Sequence, residues 1–543
     1  MEVTGLVRRV PWGLLVVALF FAVAHTQAPL YYSNQNQYFL HGLAAAGRGQ
    51  LHEDWLANTR DPTPVFSALV TGTEQHLGEW AFYACYVLLL AGYFVSLVVL
   101  CEALPMRPAS ASARLLFYAL LTAAHAAVAS VASVELLGVD YPAYLQRGLA
   151  AQYVLGPGLQ PSAFGVLLIA SLAAYAHGRL CLAAGFCSAA AIMHSTYLLP
   201  ASLLTTGYLV ALWRQGSGRR AFWLAAGSLL AVLPVVVYNL SQFSPTSAGA
   251  FSEAQRLLAE VRIPHHAVVA RWMDKVAWAQ VAWVLLGLAL LRRTRLFFVL
   301  VLTFALALVL TLVQLATASN TLALLFPWRI SAVLVPVATA VIVASFASAA
   351  VHQLERLACP TSWVAWVAGL TIVALAGGGV AVSASGTGYK MDPDEVPAMD
   401  FVRDQVRPGD VYLLPVSIPK VGSGRGAVAT TFTPPARVGR EGNQIAVDLQ
   451  RFRLYTGAPI YVDFKAIPYK DTEVLEWHRR MQKTMEWYAQ SDWGPTTAAE
   501  LRAEGITHVL VPVDRDLKAD FLEAIYQDQT YRVYRLGRPS GRE

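Results

Sequence analysis

The chain has 543 residues, of which 56% are hydrophobic and only 14% are charged. Soluble domains are roughly 45–50% apolar and about 25% charged, so this composition excludes an ordinary soluble protein. Residues 386–543 hold 21 Lys and Arg and 22 Asp and Glu, which leaves 33 charged residues for the first 385. We therefore expect the first two thirds to face lipid and the last third to be soluble.

Eleven runs are predicted as membrane spans, because a span needs about 20 mostly apolar residues. They cover residues 10–27, 81–103, 113–137, 161–178, 180–196, 198–213, 221–240, 276–291, 296–317, 329–350 and 362–382. Loops rich in Lys and Arg favour the cytoplasmic side. A cytoplasmic N-terminus puts twelve of the 20 basic residues of this part on that side. The prediction is a multi-pass protein of the cell inner membrane with its C-terminal domain outside.

The expected fold class is a mainly α-helical polytopic membrane protein with a C-terminal extracytoplasmic α/β domain. Residues 1–385 form the transmembrane domain, with a long first outside loop at 28–80, and residues 386–543 form the soluble domain. In that domain the predicted helices are 395–406, 472–490, 497–504 and 516–526, and the predicted strands are 411–416, 444–449, 459–463, 507–512 and 531–536.

Charge in the C-terminal domain gives no reason to expect a nucleic-acid partner. The sequence has a pI near 9.0, but residues 386–543 are almost neutral, and the basic surplus lies in the membrane part. Within this domain, segments 451–453, 461–465 and 477–480 combine basic and aromatic side chains. They are interpreted either as a surface that faces the membrane-side site or as a solvated face.

Carboxylates in the first outside loop are the candidates for acid–base chemistry. Glu53 and Asp54 are adjacent, and Asp61 follows closely. A carboxylate can act as a general base or hold a divalent cation, so these three are the predicted catalytic residues. Whether a metal takes part is left open. The alternative for Asp54 is a helix cap, a frequent role of Asp in loops.

Polar residues of three outside segments are predicted to meet on one side of the membrane. The predicted residues that bind substrate or lipid phosphate are Arg262, His265, His266, Arg271, Lys275, Arg329, Asn34, Gln35 and His41. Arg grips a phosphate through two N–H groups, and His donates a hydrogen bond or transfers a proton. The alternative for Arg329 is a side chain that snorkels from the end of a span.

This arrangement resembles the GT-C-type membrane glycosyltransferases, which share the inside N-terminus, the long polar first outside loop with carboxylates, about eleven spans and an outside soluble domain. More narrowly, segments 34–41 (Asn-Gln-Asn-Gln-Tyr-Phe-Leu-His), 54–67 (Asp-Trp-Leu-Ala-Asn-Thr-Arg-Asp-Pro-Thr-Pro-Val-Phe-Ser) and 262–266 (Arg-Ile-Pro-His-His) look like an uncharacterised bacterial multi-pass family. That narrower resemblance covers most of the chain and implies no activity.

The broader resemblance implies transfer of a sugar from a polyprenyl-phosphate donor to an extracytoplasmic glycan, lipid or protein acceptor, in contact with membrane lipids. Asp54 or Glu53 would deprotonate the acceptor hydroxyl or hold a metal. The sequence departs from the family at 34–37, Asn-Gln-Asn-Gln, where many GT-C enzymes carry an acidic residue. The alternatives are a non-enzymatic scaffold for envelope assembly with the same fold, and a transporter. In the enzyme, the leaving phosphate would be stabilised by Arg262, His265, His266 and Arg329.

Overall fold

A computed structural model describes residues 12–32, 34–105, 107–387, 393–418, 449–515 and 517–537. Each of the eleven apolar runs is helical in the described residues, because a helix satisfies its own backbone polar groups where no water is available. These helices are Trp12–His25, Trp80–Glu102, Ala111–Ala123, Ala127–Leu137, Val166–Ala176, Leu180–Met193, Leu198–Arg214, Gly218–Gln242, Lys275–Leu291, Arg295–Thr317, Ser331–Arg356 and Ser362–Ser385.

The prediction of eleven spans is wrong, because only six of the described helical segments are long and apolar enough to cross a membrane. A seventh is reached if Ala111–Ala123 and Ala127–Leu137, which meet at 58°, count as one span. The six are Trp80–Glu102, Ser195–Arg214, Gly218–Gln242, Arg295–Thr317, Asn320–Arg356 and Ser362–Ser385. Their length and composition indicate a helical membrane protein.

The other four apolar helices are too short as described. None exceeds 17 residues, and a helix rises only about 1.5 Å per residue against a hydrocarbon core of roughly 30 Å. Two of them end at recognisable breaks. Helix Val166–Ala176 stops before Gly178, whose φ is +78°, and helix Leu180–Met193 stops at His194, which is extended.

Small residues let the helices of the bundle approach closely. A Cβ added at Gly287 would lie 2.6 Å from the Cβ of Ala338, so glycine is required where these two helices cross. Helix Ser331–Arg356 is the most enclosed, whereas Gly218–Gln242 exposes nearly all of its surface. The exposed apolar side chains of Gly218–Gln242 are consistent with contact to lipid.

Short helices fill the loops between the long ones. Those of the first loop (28–80) are Gln35–Tyr38, Leu40–Ala45, Leu51–Glu53, Leu56–Asn58 and Pro64–His76. Those further along the membrane part are Tyr141–Gln146, Pro161–Gly165, Ser195–Tyr197, Ala248–Arg256, Leu257–Arg262, Pro264–Ala267, Val269–Trp272, Asn320–Leu324 and Pro327–Ile330. Segment Leu257–Arg262 is a π-helix, a form that recurs at functional sites.

The C-terminal part is an α/β unit. Its helices are Pro393–Glu395, Val396–Gln405, Phe452–Thr456, Asp471–Ala489 and Pro495–Ala503, and its strands are β1 (Tyr412–Leu413), β2 (His508–Pro512), β3 (Leu522–Gln527) and β4 (Tyr531–Leu536). The sheet order is β1-β2-β4-β3, with β1 and β2 parallel and the other pairs antiparallel. Of the predicted strand 444–449, only Leu449 is among the described residues.

Two predicted elements of this unit are wrong. The predicted strand 459–463 is reduced to an isolated bridge between Ile460 and Tyr412. Residues 516–526 read as a helix in the sequence, but Leu522–Gln527 form β3 in a hairpin with β4. Asp528 stabilises the turn, because its Oδ1 accepts hydrogen bonds from the backbone N–H groups of Thr530 and Tyr531, both at 2.7 Å. Strand pairing and turn chemistry therefore outweigh local helix propensity here.

The α/β unit shares an apolar core with the membrane part. Ala254, Leu257 and Leu258 pack in one buried cluster with Trp477 and Met481 of helix Asp471–Ala489. This contact holds the loop after the helix Gly218–Gln242 against the C-terminal unit, and thereby fixes the segment that carries Arg262.

Candidate functional site

Asp54 lies fully buried where the first loop meets the C-terminal unit. Its Oδ1 accepts hydrogen bonds from the backbone N–H groups of Leu56 at 2.9 Å and Ala57 at 3.4 Å. Its Oδ2 accepts from the N–H of Ile460 at 3.0 Å and lies 3.0 Å from Nε of Arg453. Asp54 therefore caps the turn that follows it, which is the alternative role that the sequence left open.

Arg453 connects Asp54 to a second carboxylate. Its Nη1 lies 3.1 Å from Oδ2 of Asp463, and the Arg453 side chain is 2% exposed. The N–H groups at Nε and Nη1 of Arg453 are not oriented for hydrogen bonds to Asp54 and Asp463. The attraction between the guanidinium and these carboxylates is therefore mainly Coulombic. Four donors or cationic groups surround the oxygens of Asp54, which favours a structural role. Its role as general base stays a prediction.

Glu53 and Asp61 lie nearer to solvent and have other neighbours. Oε2 of Glu53 accepts a hydrogen bond from the N–H of Gly409 at 2.7 Å. Oδ1 of Asp61 accepts from the N–H of Thr63 at 2.8 Å and lies 4.0 Å from Nδ1 of His41. In the part of the chain that the structure describes, no three His, Cys, Asp or Glu side chains converge as a metal site would require.

Four of the residues predicted to bind phosphate come together: Arg262, His265, His266 and Arg329, which we call the cationic cluster. The two imidazole centroids are 4.0 Å apart. Burial lowers the pKa of His266 to about 3, and the charges of Arg329, Lys465 and Arg262 act in the same direction. Burial also lowers the pKa of His265 well below its ordinary value. Both histidines are therefore neutral near pH 7.

Arg262 is the last residue of the π-helix Leu257–Arg262, whose wider turn places it inside the junction with the C-terminal unit. Its Nη2 donates to the carbonyl oxygen of Lys465, and its guanidinium lies 5.1 Å from the ring centroid of Phe464. Its Nε is buried without a hydrogen-bond partner. Burial lowers the pKa of Arg262, so the fold holds this charge at a cost.

Arg329 sits in the turn that precedes helix Ser331–Arg356, after Phe326, whose φ is +50°. Its Nη1 donates to Oε1 of Gln152, and its guanidinium lies 5.1 Å from the ring centroid of Tyr197. Its Nε is also buried without a partner. Among the described residues, neither Arg329 nor Arg262 forms an ion pair with a carboxylate.

A small cleft, the arginine cleft, opens beside Arg329. It is lined by Ala150, Gln152, His266, Ala267, Trp272, Gln314, Phe326, Pro327, Trp328 and Arg329. The indole Nε1 atoms of Trp272 and Trp328 and Nε of Arg329 are buried without hydrogen-bond partners. This lining has unused N–H donors, a positive charge and no acidic side chain, which suits an anion.

The first loop contributes polar contacts close to the cluster. Nε2 of Gln37 donates to the hydroxyl of Tyr469 at 2.6 Å, and Nδ2 of Asn34 donates to the hydroxyl of Tyr153 at 3.0 Å. The ring of Tyr38 meets His194 edge-on, with centroids 5.4 Å apart. Asn34 is thus placed near the site by its tyrosine partner.

Several of the predicted binding residues lie outside the cationic cluster. Gln35 is buried and uses both ends of its side-chain amide on backbone groups of the first loop and of the 153–160 segment, a structural role. His41 hydrogen-bonds the carbonyl of Thr59 through Nε2 at 3.2 Å. Arg271 is partly exposed in helix Val269–Trp272, and Lys275 is exposed at the start of the next helix.

Sequence reasoning missed several residues that shape the site. Gln152 and Tyr153 come from a loop that the sequence marks with neither charge nor a motif. Tyr469 follows the basic and aromatic segment 461–465, which the sequence singled out. That segment, with Arg453, faces the loops of the membrane part rather than solvent alone.

A family model described as a domain of unknown function, DUF6798, matches residues 443–484. The matched stretch carries Arg453, Asp463, Lys465 and Tyr469, so it includes side chains that contact the first loop and Arg262. No curated protein matches the sequence.

Proposed function

We propose that the protein is a glycosyltransferase of the cell inner membrane that takes its sugar from a polyprenyl-phosphate donor. One observation carries the proposal: the cationic cluster holds two arginines with unused N–H donors and, among the described residues, no carboxylate paired to either. A buried guanidinium without a paired carboxylate is unfavourable, even though the charge of Asp463 also acts on Arg262. An anionic group bound there would offset that cost, and a lipid phosphate at the membrane surface supplies one.

In the proposed reaction, the hydroxyl oxygen of an extracytoplasmic glycan, lipid or protein bonds to the anomeric carbon of the donor sugar. The bond from that carbon to the phosphate oxygen breaks, its electron pair stays on the phosphate, and the hydroxyl proton passes to a carboxylate. Arg262 and Arg329 stabilise the charge that develops on the phosphate. The neutral imidazoles of His265 and His266 add hydrogen-bonding groups without adding charge.

The test is transfer by the purified protein in liposomes, with farnesyl phosphates linked to several hexoses as donors and methyl hexopyranosides as acceptors, and it measures released farnesyl phosphate together with the disaccharide product. We expect release by the wild type, and a rate lowered about 100-fold or more in Arg329→Gln. Arg356→Gln is the matched control, because Arg356 is exposed at the far end of helix Ser331–Arg356. Equal rates in the wild type and Arg329→Gln would refute the proposal.

A binding role without catalysis is the second candidate. The contacts of Asp54 favour it, because donors surround both oxygens of the carboxylate that the sequence placed first among the bases. In that case farnesyl phosphate binds to the cationic cluster, but no hexose is released from any donor. The same liposome experiment, run with a binding measurement, separates the two functions.

A further inference from the structure

A second cavity, the polar cavity, lies at the end of helix Trp12–His25. It is lined by His25, Thr26, Gln27, His125, Ala127, Ser130, Asp140, Gln146, Arg147, Leu155, Gly156 and Pro157. The cavity lies where helices Ala111–Ala123 and Ala127–Leu137 diverge by 58°. The break between these helices leaves room for it.

His125 fixes this break in place. Its Nδ1 hydrogen-bonds the carbonyl of Leu121 at 2.8 Å, and its Nε2 hydrogen-bonds the hydroxyl of Tyr93 at 2.9 Å. Nδ1 of His25 donates to the backbone carbonyl of His125 at 3.0 Å. Both ring nitrogens of His125 are therefore engaged, and the residue shapes the wall of the cavity.

Asp140 is the acidic group in this wall, and one of its carboxylate oxygens has no described partner. Its side chain is 2% exposed. Oδ1 caps helix Tyr141–Gln146 by accepting a hydrogen bond from the N–H of Ala143 at 3.1 Å. Among the residues that the structure describes, none donates a hydrogen bond to Oδ2 of Asp140, and none forms an ion pair with its carboxylate. Because Asp140 lines the cavity and Oδ2 is not among the fully buried unpaired atoms, a group in the cavity can donate a hydrogen bond to this oxygen.

The rest of the lining differs in charge from the arginine cleft. Gln27, Ser130 and Gln146 are neutral hydrogen-bonding side chains, and the lining carries one acidic residue, Asp140, and one arginine, Arg147. Such a mixture suits a neutral ligand with several hydroxyl groups better than a phosphate. The two cavities therefore favour ligands of different chemistry.

A third cavity is adjacent to both. It shares Arg147 with the polar cavity and shares Ala150 and Trp272 with the arginine cleft. The loop between them is strained, since Ala150 and Ala151 have φ values of +56° and +53°. Backbone strain of this kind clusters at functional sites. The polar cavity and the arginine cleft are therefore separated only by the third cavity and the residues that line it.

We propose that the polar cavity binds a neutral, hydroxyl-bearing ligand, with Oδ2 of Asp140 accepting a hydrogen bond from one of its hydroxyls. This ligand is the acceptor of the sugar, an identity that rests on the function proposed above. The preference of the cavity for a neutral polyol rests on its own lining.

The test measures binding of two probes to the full-length protein in nanodiscs: farnesyl phosphate, and a set of methyl hexopyranosides. Asp140→Asn removes the carboxylate but keeps the helix cap, because Asn caps about as well as Asp. We expect it to weaken hexopyranoside binding at least 10-fold and to leave farnesyl phosphate binding and Tm unchanged. Arg329→Gln should weaken the binding of farnesyl phosphate and leave the binding of hexopyranosides unchanged.

Asp140→Ala is the control for folding, because it removes the cap as well and should lower Tm. The proposal is overturned if no hexopyranoside binds the wild type, or if Asp140→Asn binds one as tightly as the wild type does. Hexopyranoside binding without any binding of farnesyl phosphate would instead overturn the proposed function and leave the polar cavity as a polyol site.

Discussion

Two sets of buried arginines lie where the loops meet the C-terminal unit. They differ in whether a carboxylate lies close enough to neutralise their charge. Arg453 has Asp54 at 3.0 Å and Asp463 at 3.1 Å. Arg262 and Arg329 have neutral partners and, among the described residues, no paired carboxylate. Burial of a charged side chain therefore does not by itself identify a ligand site in this protein. Charge balance distinguishes a structural pair from a cluster that an anion completes.

Asp54→Asn should have the largest effect on stability. It leaves Arg453 buried with less counter-charge, and removal of one partner of a buried pair costs roughly 3–5 kcal/mol. Thermal unfolding in detergent should show a markedly lower Tm. Glu53→Gln is the control, since Glu53 is 32% exposed and its loss should change the free energy of unfolding by about 0.5 kcal/mol or less. Lost activity at an unchanged Tm would instead identify Asp54 as the general base.

Arg329→Gln should show the opposite pattern. The arginine has no paired carboxylate in the described structure, so we expect the free energy of unfolding to stay within about 1 kcal/mol. The affinity for farnesyl phosphate should fall roughly 10- to 100-fold, because a hydrogen bond to a charged group contributes about 1.5–3 kcal/mol. Equilibrium binding and thermal unfolding of the same sample test both points. A destabilisation as large as that of Asp54→Asn would mean that Arg329 is structural.

Acid should loosen a third contact between the loops and the C-terminal unit. Burial alone would raise the pKa of Asp471, but hydrogen bonds from the N–H and hydroxyl of Thr246, at 2.6 and 2.8 Å, lower it to about 2. The unfolded chain binds this proton more readily, so the contribution to stability is present above about pH 4 and lost as pH falls towards 2. Tm of the wild type should exceed that of Asp471→Asn at pH 5, and the difference should vanish near pH 2. A constant difference would exclude this titration.

The smallest effect is expected for Lys275→Gln. Lys275 is exposed, and solvent screens an exposed charge, so its contribution to phosphate binding should be at most about 1 kcal/mol. The same binding measurement should give an affinity for farnesyl phosphate within about fivefold of that of the wild type. A loss as large as that of Arg329→Gln would place the phosphate outside the arginine cleft.

Apolar runs were enough to predict where the helices lie, because each run is a continuous local signal. They overestimated the number of spans, since breaks such as those at Gly178 and His194 shorten helices inside apolar sequence. The role of Asp54 was not predictable beyond the choice between cap and base. Its partners Arg453 and Ile460 lie about 400 residues away, and only the folded chain brings them together.

The candidate site was predictable in part. Arg262, His265, His266 and Arg329 were chosen because their side chains suit phosphate, and the structure brings them together. Asp140 was not singled out, because one acid in a short loop carries no pattern. Asp140 is a candidate because its Oδ2 has no described hydrogen-bond partner and the residue lines a cavity. Both properties depend on the tertiary structure and cannot be seen in the sequence.

The most direct test of the account compares farnesyl phosphate with farnesol as stabilising ligands. At a concentration of 100 times its Kd, a ligand that binds only the folded state stabilises it by about 2.7 kcal/mol. We predict that farnesyl phosphate raises the Tm of the wild type, that farnesol does not, and that the rise is lost in Arg329→Gln. Equal shifts with the phosphate and the alcohol, or a shift that persists in Arg329→Gln, would contradict the claim that the cationic cluster binds phosphate.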